Sequence, residues 1–575
     1  MPARALAAAL TIALGAAHRP SVKVGNGTVV GTVNGSLHVF AGITYATAPR
    51  FAPPVAAAVE GTFDASRFGP ACLQWGLDGA VIGDEECLTL NVFAPAARAA
   101  PRAVMVFIHG GGLTSGAATT YDFKDLATQG DLVVVSIQYR LSSMGWLAVP
   151  GAVAANNAGL WDQIAALRWV HDHIAGFGGD AARVTIFGQS AGGTSVLLLA
   201  SSPPAKGLFA RAIAESPWWA SNQIGGAAPD VAADVIWGDC WCDVVNCSFT
   251  GDALGRELRA ANATELVEAC YVVAVVPDGV AVPAPLMDAL CAGDADPFGD
   301  ALDDPGFEMI VGSNHDEYRY WLMGVGNASA TEADIADELV GYVGRNVLEM
   351  NLDLAVNRTL GWTERCRAAA RDDLLRRIYS AYAGHSPFEH AVDFTTDFWF
   401  TNDVEADTVM PLKTMHCTEL PYVLGFEGFV WRYNSSDEDA VRDYFHAPTK
   451  AMRETKVFTQ DLWIDFATRG FHDDTWPAIT SAAGEPHART STGADGGRVA
   501  RAATTRAGFD VARDPYCELP KLREAASRAC LDGDFQSSSG DGRFAPSSAA
   551  SVARSAARAA PTSATVASIF RRALP

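Results

Sequence analysis

Ser190 stands in Gly188-Gln189-Ser190-Ala191-Gly192, a pentapeptide that could carry nucleophilic chemistry. A serine hydroxyl is a weak nucleophile until a base takes its proton and donors await the charge it creates. The β-branched run Val184-Thr-Ile-Phe187 precedes the pentapeptide and the Leu-rich stretch Val196–Ala200 follows it. That order predicts strand, sharp turn, helix, with Ser190 on a strained turn at the carboxyl end of a strand. Gly188 and Gly192 fit such a turn because side chains there would crowd it. The helix beginning after Ser190 aims free N–H groups and its positive dipole end at charge growing beside the hydroxyl. The pentapeptide alone recurs by chance, so its weight comes from these flanks. A second group adds to it: His109-Gly110-Gly111-Gly112 ends the apolar run Val104–Ile108. A strand ending in bare glycine backbone can bring N–H groups close to a developing oxyanion.

These residues need a scaffold of buried strands. Val104–Ile108, Leu132–Ile137, the run from Val184 and Met309–Val311 read as strands. Between them Leu160, Ile164, Leu167, Val170 and Ile174 recur at steps that line one helix face, ending at Gly176-Phe-Gly-Gly179. Strands alternating with helices predict an α/β fold, a large, mostly parallel twisted sheet covered by helices on both faces. Upstream, Val22 to His38 reads as an antiparallel meander, and Phe40 to Pro49 as a turn-rich loop. No internal repeat is evident. We expect a signal peptide over 1–17, the catalytic domain over 18–480 and a disordered insert over 481–507. A C-terminal helix of the domain is assigned to 508–535 and a disordered Ser/Ala-rich tail to 536–575.

Composition narrows the setting. The 575 residues carry a formal charge of −23, which opposes nucleic acid or an anionic membrane as partner. Arg4, the apolar stretch Leu6–Leu14 and Gly15-Ala16-Ala17 form a secretory leader pattern, and no other run reaches the length of a membrane span. Sequons at Asn26, Asn34, Asn246, Asn262, Asn327, Asn357 and Asn434 fit a secreted glycoprotein. The 11 cysteines then read as disulfides with at least one thiol left over. Cys72 and Cys87 bracket a short loop; a bridge there would stabilise by about 3 kcal/mol. A metal site among Cys240, Cys242, Cys247 and Cys270 is not expected, because no histidine has ligand spacing with them.

At this point the chain resembles the type-B carboxylesterase and cholinesterase family of α/β-hydrolases. The resemblance rests on Phe40-Ala-Gly-Ile-Thr-Tyr-Ala46, Asp84-Glu-Glu-Cys-Leu-Thr-Leu-Asn-Val92, His109–Gly112 and Asn157-Ala-Gly-Leu-Trp-Asp-Gln163. Phe177–Asp180, the serine turn and Gly207-Leu-Phe-Ala-Arg-Ala-Ile213 extend it. It implies a serine esterase that needs no cofactor and acts on a small-molecule or lipid ester. Glu317, in Asn314-His-Asp-Glu317, is then the acid, with Asp316 as its neighbouring rival. His416, before Cys-Thr-Glu-Leu-Pro-Tyr-Val-Leu-Gly425, is the base. The N–H groups of Gly111, Gly112 and Ala191 form the oxyanion hole. The resemblance also implies salt bridges Arg50–Glu85 and Arg140–Asp162, and a second disulfide joining Cys270 to one of Cys240, Cys242 or Cys247. Cys517 faintly matches the family's C-terminal helix.

Departures from the family bear on substrate. Gln189 replaces the usual Glu before the nucleophile, Tyr318 replaces the Gly after the acid, and no Trp falls where cholinesterases bind choline. These disfavour cholinesterase activity. Trp218 and Trp219 could line an acyl pocket, although aromatic core is the plainer reading. Two rival functions stay open: a lipase, for which the Cys72–Cys87 loop is a short lid, and a catalytically inactive cholinesterase-like binding domain. The latter gains weight because Thr401–Met415, between Asp397-Phe-Trp-Phe400 and His416, contains no clear strand and includes Pro411. If the missing charge is part of the substrate preference, Gln189→Glu raises choline-ester turnover relative to neutral esters. An unchanged ratio in a paired ester assay would assign the preference to the missing aromatic ring alone.

Overall fold

The computed structural model describes residues 19–76, 79–97, 101–217, 240–246, 248–270, 275–283, 307–312, 424, 450–470, 479–480, 486–492 and 498–501. Among these an 11-stranded sheet dominates. In chain order its strands are β1 (Thr32–Asn34), β2 (Leu37–Thr44), β3 (Thr89–Pro95), β4 (Arg102–Ile108), β5 (Val133–Ile137) and β6 (Gly179–Gln189). They continue with β7 (Arg211–Glu215), β8 (Glu308–Gly312), β9 (Ile479–Thr480), β10 (Pro486–Thr492) and β11 (Arg498–Arg501). The spatial order is β9-β10-β11-β8-β7-β6-β4-β5-β3-β2-β1. The central run β8-β7-β6-β4-β5 is parallel, whereas both flanks are antiparallel. The sheet is therefore mixed, and the expected parallel character belongs to its centre. Parallel neighbours need long crossovers that cover the sheet, while strands joined by short connections pair antiparallel.

Alternation along the central strands divides the interior into two layers. Val104, Val106, Ile108, Val133, Val135, Ile137, Val184 and Ile186 face one core. Helices α3 (Ala158–His173) and α4 (Ala191–Ala200) cover it, through Leu160, Ile164, Leu167 and Val170 of α3 and Val196–Leu199 of α4. Met105, Phe107, Val134 and Phe187 face the other. That side is closed by α1 (Lys124–Gln129) and by α7 (Lys450–Arg469), with Leu462, Trp463 and Phe466 packed inward. Among the described residues the remaining α-helices are α2 (Ser142–Trp146), α5 (Gly251–Ala260) and α6 (Ala263–Ala269). Asn262 caps α6 by accepting the Thr264 N–H at 2.9 Å.

Two expectations need correction. Residues 40–44, read as the start of a loop, lie inside β2, with Phe40, Ala41 and Ile43 buried. Gly42 has φ +69° beside an irregularity in the β2–β3 register, so it marks a bulge. Its N–H donates to Asn91 Oδ1 at 2.9 Å. Strands β10 and β11 pair from Arg489↔Arg501 to Thr492↔Arg498. The meander is also divided: Ser21–Val24 and Gly27–Val30 form a small separate sheet with Thr62–Asp64, while β1 joins the large one.

The loops at the carboxyl ends of the strands are tied down by charge and by disulfides. Arg140 donates to both carboxylate oxygens of Asp162, at 2.7 and 2.8 Å, and its backbone N–H adds a third bond at 3.1 Å. The same guanidinium reaches the carbonyl of Ala52 at 2.8 Å. Arg50 pairs with Glu85 at 2.6 and 2.5 Å. Cys72 is bridged to Cys87, Cys240 to Cys270, and Cys242 is also disulfide-bonded. The second bridge fastens a satellite core in which Trp241, Leu254, Leu258, Leu266 and Val267 pack against Met144 and Leu147. The Asp162 side chain is fully buried, so its removal strands the Arg140 cation without its partner. Asp162→Ala should cost about 3–5 kcal/mol in urea unfolding, and adding Arg140→Met should recover much of it. Equal stability of wild type and Asp162→Ala would contradict this reading.

Candidate active site

Ser190 sits between the last residue of β6, Gln189, and the first of α4, Ala191. Its backbone is at φ 59°, ψ −125°, a region that non-glycine residues rarely occupy. Three hydrogen-bonded and packed surfaces hold it there. The Ser190 N–H donates to Glu215 O at 2.9 Å, and its carbonyl accepts from Thr194 N–H at 2.9 Å. A side-chain carbon at Gly188 would lie 2.6 Å from the Gly192 backbone, and one at Gly192 only 2.1 Å from Ile108 O. The turn can close only because these positions are glycine.

The glycine loop after β4 lies directly on this turn. Ile108 pairs with Gly188 across adjacent parallel strands, so both strands end at the same edge. A side-chain carbon at Gly110 would stand 2.6 Å from Gln189 O and 3.1 Å from Ser190 Cβ. Gly111 and Gly112 have φ +112° and +63°, and the Gly111 carbonyl accepts from Thr114 and Ser115 N–H at 3.0 and 2.9 Å. No backbone hydrogen bond uses the N–H of Gly111, Gly112 or Ala191 among the described residues. Ala191 opens its helix and so has no intrahelical acceptor for its N–H. Ser190 and the two glycines are half-buried, while Ala191 is buried.

Two buried polar groups flank the site without having been singled out from sequence for their side chains. Glu215, at the end of β7 and paired with Gln189, accepts a 2.8 Å hydrogen bond from Trp463 Nε1 of α7. The signal was a carboxylate closing a strand whose middle, Ala212–Ala214, is apolar. His109 is fully buried, stacked on Tyr139 with ring centres 4.4 Å apart, and its Nδ1 lies 2.9 Å from Gly110 O. Glu317, His416, Trp218, Trp219 and Cys517 lie outside the described residues. Among the described residues no group of His, Cys, Asp or Glu is arranged to hold a metal ion, and no helix is long and apolar enough to cross a membrane.

Burial lowers the His109 pKa from 6.5 to about 4, partly opposed by its bond to the Gly110 carbonyl. The folded state therefore holds a neutral ring where the unfolded chain has already taken up a proton. Stability from this group is intact above pH 6.5 and is lost as pH falls to about 4, on the order of 3 kcal/mol in all. The acid slope of the urea midpoint should be shallower by that amount in His109→Asn than in wild type. Identical slopes would refute a neutral buried ring.

The wider comparisons agree with this architecture. The sequence profile described as "Carboxylesterase family" matches residues 18–496. A rabbit (Oryctolagus cuniculus) cocaine esterase is 38% identical over 52% of this chain, which spans 59% of that enzyme's length. A Rattus norvegicus pyrethroid hydrolase, Ces2e, is 31% identical over 77% of this chain and 80% of its own. The structure is similar to that of a Geobacillus stearothermophilus carboxylesterase, with a TM-score of 0.58 and 27% identity over 79% of this chain and 91% of that one. A thermophilic PNB esterase, 24% identical, shares the fold with a TM-score of 0.60 over 88% of this chain and 100% of that one. The chain belongs to the carboxylesterase family, as a carboxylic ester hydrolase of the α/β-hydrolase fold.

Proposed function

We propose that this chain cleaves carboxylic esters through an acyl-enzyme on Ser190. The observation that carries the reading is the contact of three backbones: the strained Ser190 turn, the Gly110–Gly112 loop resting on it, and the N-terminus of α4. Ser190 Oγ attacks the acyl carbon, and its proton passes to His416. The carbonyl electron pair moves onto oxygen, where the N–H groups of Gly111, Gly112 and Ala191 receive it. The alcohol leaves with the proton from His416, and water repeats the sequence to free the acid. Glu317 holds the imidazole tautomer.

The described ends of the chain support that assignment of acid and base. Gly312 closes β8, and its carbonyl accepts the Ser216 N–H at 2.6 Å, beside the strand end that bonds Ser190. Glu317 follows five residues later, within about 18 Å of Gly312 along the chain. Leu424, eight residues after His416, is buried in the same core layer as Phe187 and Ile213. Eight residues span at most about 29 Å, so the position of Leu424 is compatible with His416 as the base and supports the active reading over the inactive-domain one. Export to an oxidising compartment fits the bridges at Cys72–Cys87 and Cys240–Cys270.

Ser190→Ala should lower hydrolysis of p-nitrophenyl acyl esters by at least ~10³-fold while leaving the thermal midpoint unchanged. Near-normal hydrolysis in the folded variant would remove Ser190 from the chemistry.

A further inference from the structure

His109 is buried without a partner for one of its two nitrogens. Nδ1 lies 2.9 Å from the Gly110 carbonyl, which can only accept, so Nδ1 carries the ring proton. Nε2 is buried and has no hydrogen-bond partner among the described residues. The plane of the ring is held by its neighbours. Tyr139 stacks on it with planes 21° apart, and the Tyr139 hydroxyl donates to His109 O at 2.7 Å. Gly116 closes another side: a side-chain carbon there would lie 2.3 Å from Gly110 O and 2.7 Å from His109 Nδ1. The one hydrogen bond the ring makes is thus held in place from several directions.

That bond acts on a particular peptide unit. The Gly110 carbonyl and the Gly111 N–H belong to one planar group, and the described residues contain no cis peptide. In a trans peptide the two point in opposite directions, so fixing one fixes the other. A peptide flanked by two glycines is otherwise among the freest to rotate, because neither side has a Cβ to limit it. We propose that His109 is a positioning residue for the oxyanion hole, its Nδ1–H holding the Gly110 carbonyl so that the Gly111 N–H faces the oxyanion formed at Ser190. The proposal rests on the reading of Gly111 as an oxyanion donor. It explains why a polar ring is kept at a fully buried position where an apolar one would cost nothing in desolvation.

Two variants separate this role from core filling. His109→Phe keeps a ring against Tyr139 but removes the donor, whereas Asn places its amide nitrogen close to where Nδ1 stood. For p-nitrophenyl ester hydrolysis, His109→Phe should lower kcat by ~10- to 100-fold with KM little changed, as for loss of an oxyanion donor. Inhibition by a trifluoromethyl ketone should weaken by a similar factor, since addition of Ser190 Oγ to its carbonyl places an oxyanion in the same hole. His109→Asn should restore kcat to within about threefold of wild type. A folded His109→Phe with wild-type kcat, or equal losses in both variants, overturns the proposal while leaving the Ser190 chemistry standing. Failure of wild-type protein to hydrolyse any ester overturns both. If His109→Phe does not fold, ¹⁵N-histidine spectra of wild-type protein decide through the tautomer: an Nδ1–H ring supports the clamp, and an Nε2–H ring refutes it.

Discussion

The structure depends on a close approach of backbones at one edge of the sheet. Ile108 O, the Gly188 and Gly192 backbones, Gly110 and Glu215 O all converge on the turn that carries Ser190. Nothing larger than hydrogen fits at Gly110, Gly188 or Gly192, and Gly193 is equally close to Glu215 O, at 2.7 Å. Ser190 itself has a backbone conformation that costs of order 1–3 kcal/mol when isolated. That cost persists only because surrounding elements leave the turn no alternative. The elements that do so are the parallel strands β4, β6 and β7, whose register puts their ends level, and the helix α4 that begins at once.

The rest of the molecule serves to hold those strand ends level. Alternating side chains of β4, β5 and β6 bury one set against α3 and α4 and the other against α1 and α7, which fixes the sheet from both faces. At the active edge, Trp463 of α7 reaches Glu215, the residue whose carbonyl accepts the Ser190 N–H. Helix packing on the far face is thereby connected to the nucleophile turn through one residue. Arg140 and Asp162 tie the loop after β5 to α3 and to the segment at Ala52. The pair is buried, so its value lies in fixing geometry more than in net stability.

Much of this was legible because it is local. The β-branched run before Ser190, the glycines around it and the apolar face from Leu160 to Ile174 each declare an element by spacing alone. The glycine loop was legible for the same reason. What escaped was decided at long range. Residues 40–44 read as the start of a turn-rich loop, yet they lie in a buried strand whose bulge at Gly42 is set by pairing with β3. Several flanking antiparallel strands pair across long stretches of sequence, as Thr44 does with Thr89 and Ile310 with Arg501, which periodicity does not order in space. The side-chain role of His109 was hidden because a histidine before three glycines reads as part of a loop, and only the geometry shows its ring bonded to the next residue's carbonyl.

The central claim is that a nucleophile, a base and an oxyanion hole are assembled around Ser190. A fluorophosphonate probe reads all three together, because it reacts quickly only with a serine whose proton is removed and whose charge is received. The account predicts near-stoichiometric labelling of the folded protein, mapped by mass spectrometry to the peptide containing Ser190 and abolished in Ser190→Ala. Folded protein that takes no label, or takes it at another serine, would contradict it.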